Sequence, residues 1–157
     1  MPRRREPSPP VRLRAARLVD VDAGALVEPA DLLVEGDRII DVAPSRVPDG
    51  TVEIDLGDVT LLPGLMDMEV NLLMGGPDHE SPLVAVQDDP AVKVLRAVAN
   101  CRRTLRSGFT TVRNLGLFVQ TGGILLDVAL MKAVDRGWID GPRIVPAGHA
   151  ISPTGGH

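Results

Sequence analysis

Three histidines, one cysteine and a few clustered acids hold most of the reactive chemistry open to this chain. Asp78, His79 and Glu80 are consecutive in a polar loop behind Gly75-Gly76-Pro77. Two carboxylates and an imidazole are metal donors by type, but adjacent residues seldom converge on one ion. His149 follows the short apolar run Ile144-Val145 and reads as structural, whereas His157, in Gly155-Gly156-His157, stays open between a functional group and a terminal-loop residue. Cys101 recurs with apolar residues at helical spacing, where a buried, inert thiol is the ordinary outcome. Ser81 and Ser152 each precede a proline with no base nearby in sequence, so nucleophilic catalysis has no support. The glycine pairs at 75–76, 122–123 and 155–156 match neither a phosphate-binding loop nor a dinucleotide fingerprint.

The elements that must hold these groups change texture near residue 60. Before it the pattern is strand-like. Val11–Val21 opens with alternating apolar residues, and Asp31–Val42 reads as a hairpin turning on Glu35-Gly36-Asp37. Val52, Ile54 and Leu56 alternate with Glu53 and Asp55, which predicts a half-buried strand, and Val59–Leu62 reads as a buried one. After residue 60, Ala91, Val94, Leu95, Val98, Cys101 and Leu105 predict a helix stopped by Ser107-Gly108. Phe109–Val112 reads as a strand, Ile124, Val128, Met131 and Val134 as a second helix stopped by Gly137, and Ile144-Val145 as a third short strand. Alternating strands and helices point to parallel βαβ units. The expected fold class is therefore α/β.

Composition narrows the function classes. The chain has 157 residues, a formal net charge of −4, 44% hydrophobic and 24% charged residues, which is the mix of a globular protein. The apolar runs are broken by Pro63, Asp67, Glu69 or Asp127 well short of the roughly 20 residues a membrane helix needs. A single cysteine excludes a disulfide framework. An aromatic content of 2% argues against base-stacking modes of nucleic-acid binding. Six of the arginines fall in the first seventeen residues against one acid, Glu6, yet Pro2, Pro7, Pro9 and Pro10 accompany them and no apolar segment follows. Residues 1–10 are thus expected to be a solvated, disordered basic arm rather than a secretion signal. Neither a membrane nor a nucleic acid is an expected partner, and a cytoplasmic location is the default.

One stretch is more specific. Val59–Leu72, "VTLLPGLMDMEVNL", resembles the strand of metal-dependent amidohydrolases that carries an apolar-apolar-Pro-Gly start and a later His-x-His pair. The likeness continues through Arg102–Gly116, through Gly141-Pro142-Arg143-Ile144 and into Ile151–His157, and is similar to the imidazolonepropionase and Xaa-Pro dipeptidase branch. It implies a partial β-sandwich at 11–60 and, at 61–157, the N-terminal part of the amidohydrolase barrel, that is, the first βα units of an incomplete TIM-like (β/α) barrel. It also implies hydrolysis of amide or cyclic amide C–N bonds of a small molecule with one or two divalent metals, zinc above all. His157 matches a substrate-contact position at the barrel mouth.

The same resemblance shows what this chain lacks. Residues i and i+2 of a strand share a face, so a His-x-His pair can hold zinc and make hydroxide near pH 7. Here the two positions are Glu69 and Asn71, a carboxylate and a weak neutral oxygen donor, which leaves at most a site for a harder ion. The family often has an acid where Asn114 stands. Lys93 and Lys132 fall on expected helices, so neither is a candidate bridging ligand. Three strands, where a closed barrel has eight, imply a chain that stops in mid-fold. Two readings follow: an amidohydrolase-family hydrolase not active as this chain alone, with no catalytic residue assigned to it, or a non-catalytic subunit that completes a barrel with another polypeptide. In either, a complementing polypeptide or self-association is expected. If Arg3–Arg5 belong to a merely solvated arm, deleting residues 1–10 leaves thermal stability and assembly unchanged, as calorimetry and sedimentation would register.

Overall fold

A computed structural model describes residues 9–75, 87–116, 124–151 and 153. Most of the basic arm, the Asp78-His79-Glu80 cluster, Ser81, Ser152 and His157 lie outside the described residues. The fold is mixed α/β, and the chain divides into two compact units, Met1–Pro63 and Gly64–His157.

Every helix or strand among the first unit's described residues is a strand: β1 Val11–Ala15, β2 Arg17–Asp20, β3 Ala25–Val27, β4 Ala30–Glu35, β5 Arg38–Val42, β6 Val52–Asp55 and β7 Thr60–Leu61. They form a sheet of order β5-β4-β1-β6 and a smaller one of order β3-β2-β7. The hairpin expected at 31–42 is there. Glu35 pairs with Arg38, and Gly36 takes the positive φ of 61° that an L-residue rarely adopts.

Pairing register sorts the larger sheet into two faces, because opposed residues point the same way. Val11, Leu13 and Ala15 line up with Val34, Leu32 and Ala30 and, on the other side, Val11 and Leu13 with Val52 and Ile54. Ala15, Ala30 and Leu32 at its centre are buried. The outer strands are not: Ile39 is 60% exposed and Val52 46%. The alternation at 52–56 does make a strand, then, but within this chain its apolar face is open rather than half-buried. Val59–Leu62 departs further from the buried strand expected of it. Only Thr60 and Leu61 pair, beside Arg17 and Leu18, while Val59 and Leu62 are exposed.

The opposite face of the same sheet is held by charge. The Arg12 guanidinium donates to both oxygens of Asp31, Nε to Oδ1 at 2.9 Å and Nη2 to Oδ2 at 2.6 Å, and Nη1 donates to Glu53 at 3.1 Å. A planar fork meeting a carboxylate through two bonds is the strong form of such a pair.

The second unit is β8 Leu65–Val70, α1 Pro90–Arg106, β9 Phe109–Asn114, α2 Leu126–Asp135 and β10 Arg143–Pro146. The three strands are parallel in the order β10-β9-β8. Asp89 caps α1, its Oδ1 accepting from the amides of Ala91 and Val92, and Pro90 fills the first turn where no amide partner is needed. The helix stops at Ser107 as its sequence requires, and the expected Cys101 is buried with Val94 and Val98 packed against the same core, but Lys93 and Ala97 are buried too and Leu95, expected inside, is 71% exposed. The second helix starts at Leu126, so Ile124 precedes it and is exposed, and Leu126 and Leu130 supply its buried apolar contacts. Together with Leu72, Leu73, Val112 and Ile144 these side chains make one core on the helix-facing side of the sheet. No described helix is long and apolar enough to cross a membrane.

The Arg12 fork holds Asp31 below the ordinary carboxylate range, by hydrogen bonding first and charge second. A carboxylate whose folded pKa is depressed contributes stability that is present above its unfolded value and is lost as pH falls toward the folded one. The wild-type advantage over Asp31→Asn is therefore expected to be full at neutral pH and to shrink below about pH 5, in urea denaturation followed across a pH series.

Candidate functional site at the strand ends

All three strands of the parallel sheet end at the same edge, at Val70, Asn114 and Pro146. Ligands of open α/β sheets bind outside the carboxyl ends of the strands, which makes this edge the candidate site. The segments beyond it are tied to one another by backbone bonds, Leu115 N–H to the Val70 carbonyl at 3.0 Å and Ala147 N–H to the Asn114 carbonyl at 3.1 Å. Gly116, at φ 90°, passes so close to the third segment that a Cβ would meet the Gly148 carbonyl at 2.7 Å.

The strand period that would align Glu69 with Asn71 is interrupted. Asp67 pairs with Val112 and Val70 with Asn114, so Met68 and Glu69 together oppose Arg113 in a bulge. Arg113 Nε donates to the Met68 carbonyl at 2.8 Å, and the Glu69 amide donates to Asp67 Oδ1 at 2.9 Å, which fixes the bulge from both sides. Asn71 lies past the last residue of β8, and both Glu69 and Asn71 are exposed. Among the described residues no three His, Cys, Asp or Glu side chains gather where they could hold a metal. One carboxylate and one weak amide oxygen on irregular backbone fall short of the three protein ligands that hold a hydrolytic zinc.

Beneath this exposed pair is a buried polar network that the sequence barely signals. Asn114 and Asp127 are both without solvent contact. Asn114 Oδ1 accepts from the Leu72 amide at 2.9 Å, and its Nδ2 donates to Asp127 Oδ2 at 3.4 Å. The Asp127 oxygens also accept from the amides of Val128 at 2.8 Å and Gly148 at 2.9 Å. From α1, Asn100 Nδ2 donates to the carbonyls of Leu72 at 2.9 Å and Met74 at 3.3 Å. Position 114 is thus a side-chain amide in contact with a buried carboxylate at 127, to which it supplies a donor. The one sequence signal for Asp127 is its charge inside the apolar run Ile124–Met131; Asn100 gives none.

Other candidates separate. His149 is exposed beside Gly148 at the third strand end. A groove of about 580 Å³ runs between β8 and α1, bordered by Asp67, Asn71, Asn100, Arg103 and Thr104. Cys101 is fully buried in the core, and burial pushes its thiol up to about 11.

No protein-family model matches the chain. Among curated proteins, the ochratoxinase of Aspergillus niger is 32% identical over 99 residues, which is 62% of this chain and 18% of that protein. Among solved structures, a prolidase in complex with N-methylphosphonate-L-proline superposes with a TM-score of 0.78 at 32% identity, over 94% of this chain and 34% of that one. A Xaa-Pro dipeptidase with bound methionine gives 0.79 at 30% identity, over 94% and 35%. The A. niger ochratoxinase structure, at 23% identity and a TM-score of 0.75, shares the fold. The chain spans about a third of the length of these solved proteins. The neighbours are amidohydrolase-like, and they support a resemblance to that superfamily of hydrolases.

A thiol that is both buried and raised is a poor nucleophile. Cys101 is expected to stay unmodified by iodoacetamide at pH 8 in the native chain and to react fully in denaturant, by intact mass.

Proposed function

We propose that this chain contributes the first strands of an amidohydrolase-type barrel that hydrolyses amide or cyclic amide C–N bonds, and that it does not catalyse the reaction alone. What carries the reading is the combination of likeness and length. At 30–32% identity, 94% of the chain superposes on a prolidase and a Xaa-Pro dipeptidase, yet it spans only 34–35% of their chains. In this reading residues 11–60 are part of a β-sandwich, residues 61–157 open the barrel, and Glu69-Val70-Asn71 stands where the His-x-His pair of the branch would be. Small amides of the kind a Xaa-Pro dipeptidase is named for are the substrate class to try, and His157 is the proposed substrate contact. A divalent metal, if this assembly uses one, takes its nitrogen ligands from other strands, since the chemistry of Glu69 and Asn71 does not supply them.

A second reading is favoured by one observation, the open apolar face of the larger sheet at Ile39, Val42, Val52 and Ile54. Exposed apolar side chains on both outer strands of one face make it a candidate contact surface. The chain is then a structural subunit that binds a complementing polypeptide or a second copy of itself and supplies no chemistry.

Metal analysis and a peptide-release assay test both. The purified chain is expected to carry no stoichiometric zinc and to leave a Xaa-Pro dipeptide intact. Glu69→His combined with Asn71→His is expected to restore zinc only when a polypeptide carrying the later barrel strands is added, because two imidazoles do not close a tetrahedral site. One equivalent of zinc retained by the wild-type chain through dialysis overturns the first reading's account of Glu69. Sedimentation as a compact monomer that unfolds cooperatively overturns the need for a partner in both.

A further inference from the structure

We propose that Asp127 is a positioning residue: through Asn114 it fixes the turn that begins at Asn71, and directly it fixes the Gly148–His149 segment. The proposal rests on the reading above only in taking these segments as the mouth of a hydrolase site. The physical argument is one of donor and acceptor type. A carboxylate accepts and cannot donate, whereas a side-chain amide does both. Asp127 therefore obliges Asn114 to turn Nδ2 toward it, at 3.4 Å, and this leaves Oδ1 aimed at the Leu72 amide, at 2.9 Å. Its own Oδ2 meanwhile holds the Gly148 amide at 2.9 Å. Asn100 clamps the same turn from the other side through the Leu72 and Met74 carbonyls. With both residues of the pair out of contact with water, no solvent molecule replaces a lost partner. One buried acid thus sets the place of two loops that no regular ladder holds.

The substitution Asp127→Asn keeps the shape and destroys the compulsion: with the new amide nitrogen on one side it opposes the Asn114 Nδ2 and Gly148 N–H donors, and on the other it opposes the Val128 N–H, so no orientation accepts all three bonds. Asn114→Ala removes the link to Leu72 and leaves the bond to Gly148. Residue-resolved amide hydrogen exchange of the full chain reads both, with Cys101→Ala as a core variant outside the network. In Asp127→Asn the Leu72 and Gly148 amides are expected to exchange at least tenfold faster relative to those of Val112 and Ile144. In Asn114→Ala only Leu72 is expected to do so, and Cys101→Ala should move all four together. Equal proportional changes in Asp127→Asn and Cys101→Ala overturn the proposal. So does failure of both network variants to fold while Cys101→Ala folds, because the pair is then general core. The readout needs neither substrate nor metal, so a failed hydrolysis assay leaves this outcome standing, and a failed exchange pattern leaves the hydrolase reading standing.

Discussion

A carboxylate sealed from water has to be met by hydrogen-bond donors, and around Asp127 those donors come from three separate stretches of chain. The cost of leaving one such group unpaired exceeds what a typical hydrogen bond adds, so each donor lost loosens the segment it comes from. Val128 and Gly148 supply amides and Asn114 a side-chain nitrogen. Because Asn114 ends β9, Gly148 follows β10 and Leu72 follows β8, one buried charge ties together the ends of a sheet whose strands are far apart in sequence. The close pass of Gly116 against the Gly148 carbonyl belongs to the same constraint, since any side chain there would push apart segments that the acid draws in.

The first unit meets its charges differently. Arg12 sits on a sheet face with Asp31 and Glu53, where water still reaches, and the bidentate geometry gives direction more than energy. The two faces of that sheet are unequal: charge and an isolated buried Leu33 on one, an apolar field with only its centre covered on the other. A sheet face of this kind contributes little to folding until it is covered, and on it only the central residues Ala15, Ala30 and Leu32 are buried while the β5 and β6 side chains remain outside.

Local signals were legible and long-range ones were not. The hairpin at 31–42 follows from a glycine at a turn whose geometry is set by two residues, and the helix stops at Ser107-Gly108 and Gly137 follow from capping, also a local matter. The core-facing side of α1 was legible at Val94, Val98 and Cys101, all of which meet the core, but not at Leu95, because the run Val92, Val94, Leu95 and Val98 allows more than one apolar face. Position over the sheet buries Lys93 and Ala97 instead. The bulge at Met68-Glu69 depends on the register of β9, 42 or more residues away by the Leu72–Asn114 bond, and no period in β8 alone foretells it. At the site, Asn114 was singled out for lacking an acid. That it meets Asp127 could be known only once the helix was laid against the strand end.

The bulge also separates two things that a regular strand would have joined. In a His-x-His strand the same period that buries one set of side chains aims the metal ligands, so ligand geometry and core packing are one device. Here packing resumes at Val70, paired with Asn114, while Glu69 is turned into the bulge and Asn71 past the strand's end. The buried amide and carboxylate beneath remain complete without any ligand above them. The scaffold of the strand ends is therefore held by hydrogen bonds that run among Leu72, Asn114, Asp127 and Gly148 rather than through the side chains of Glu69 or Asn71, so what holds this edge in place is distinct from what it exposes.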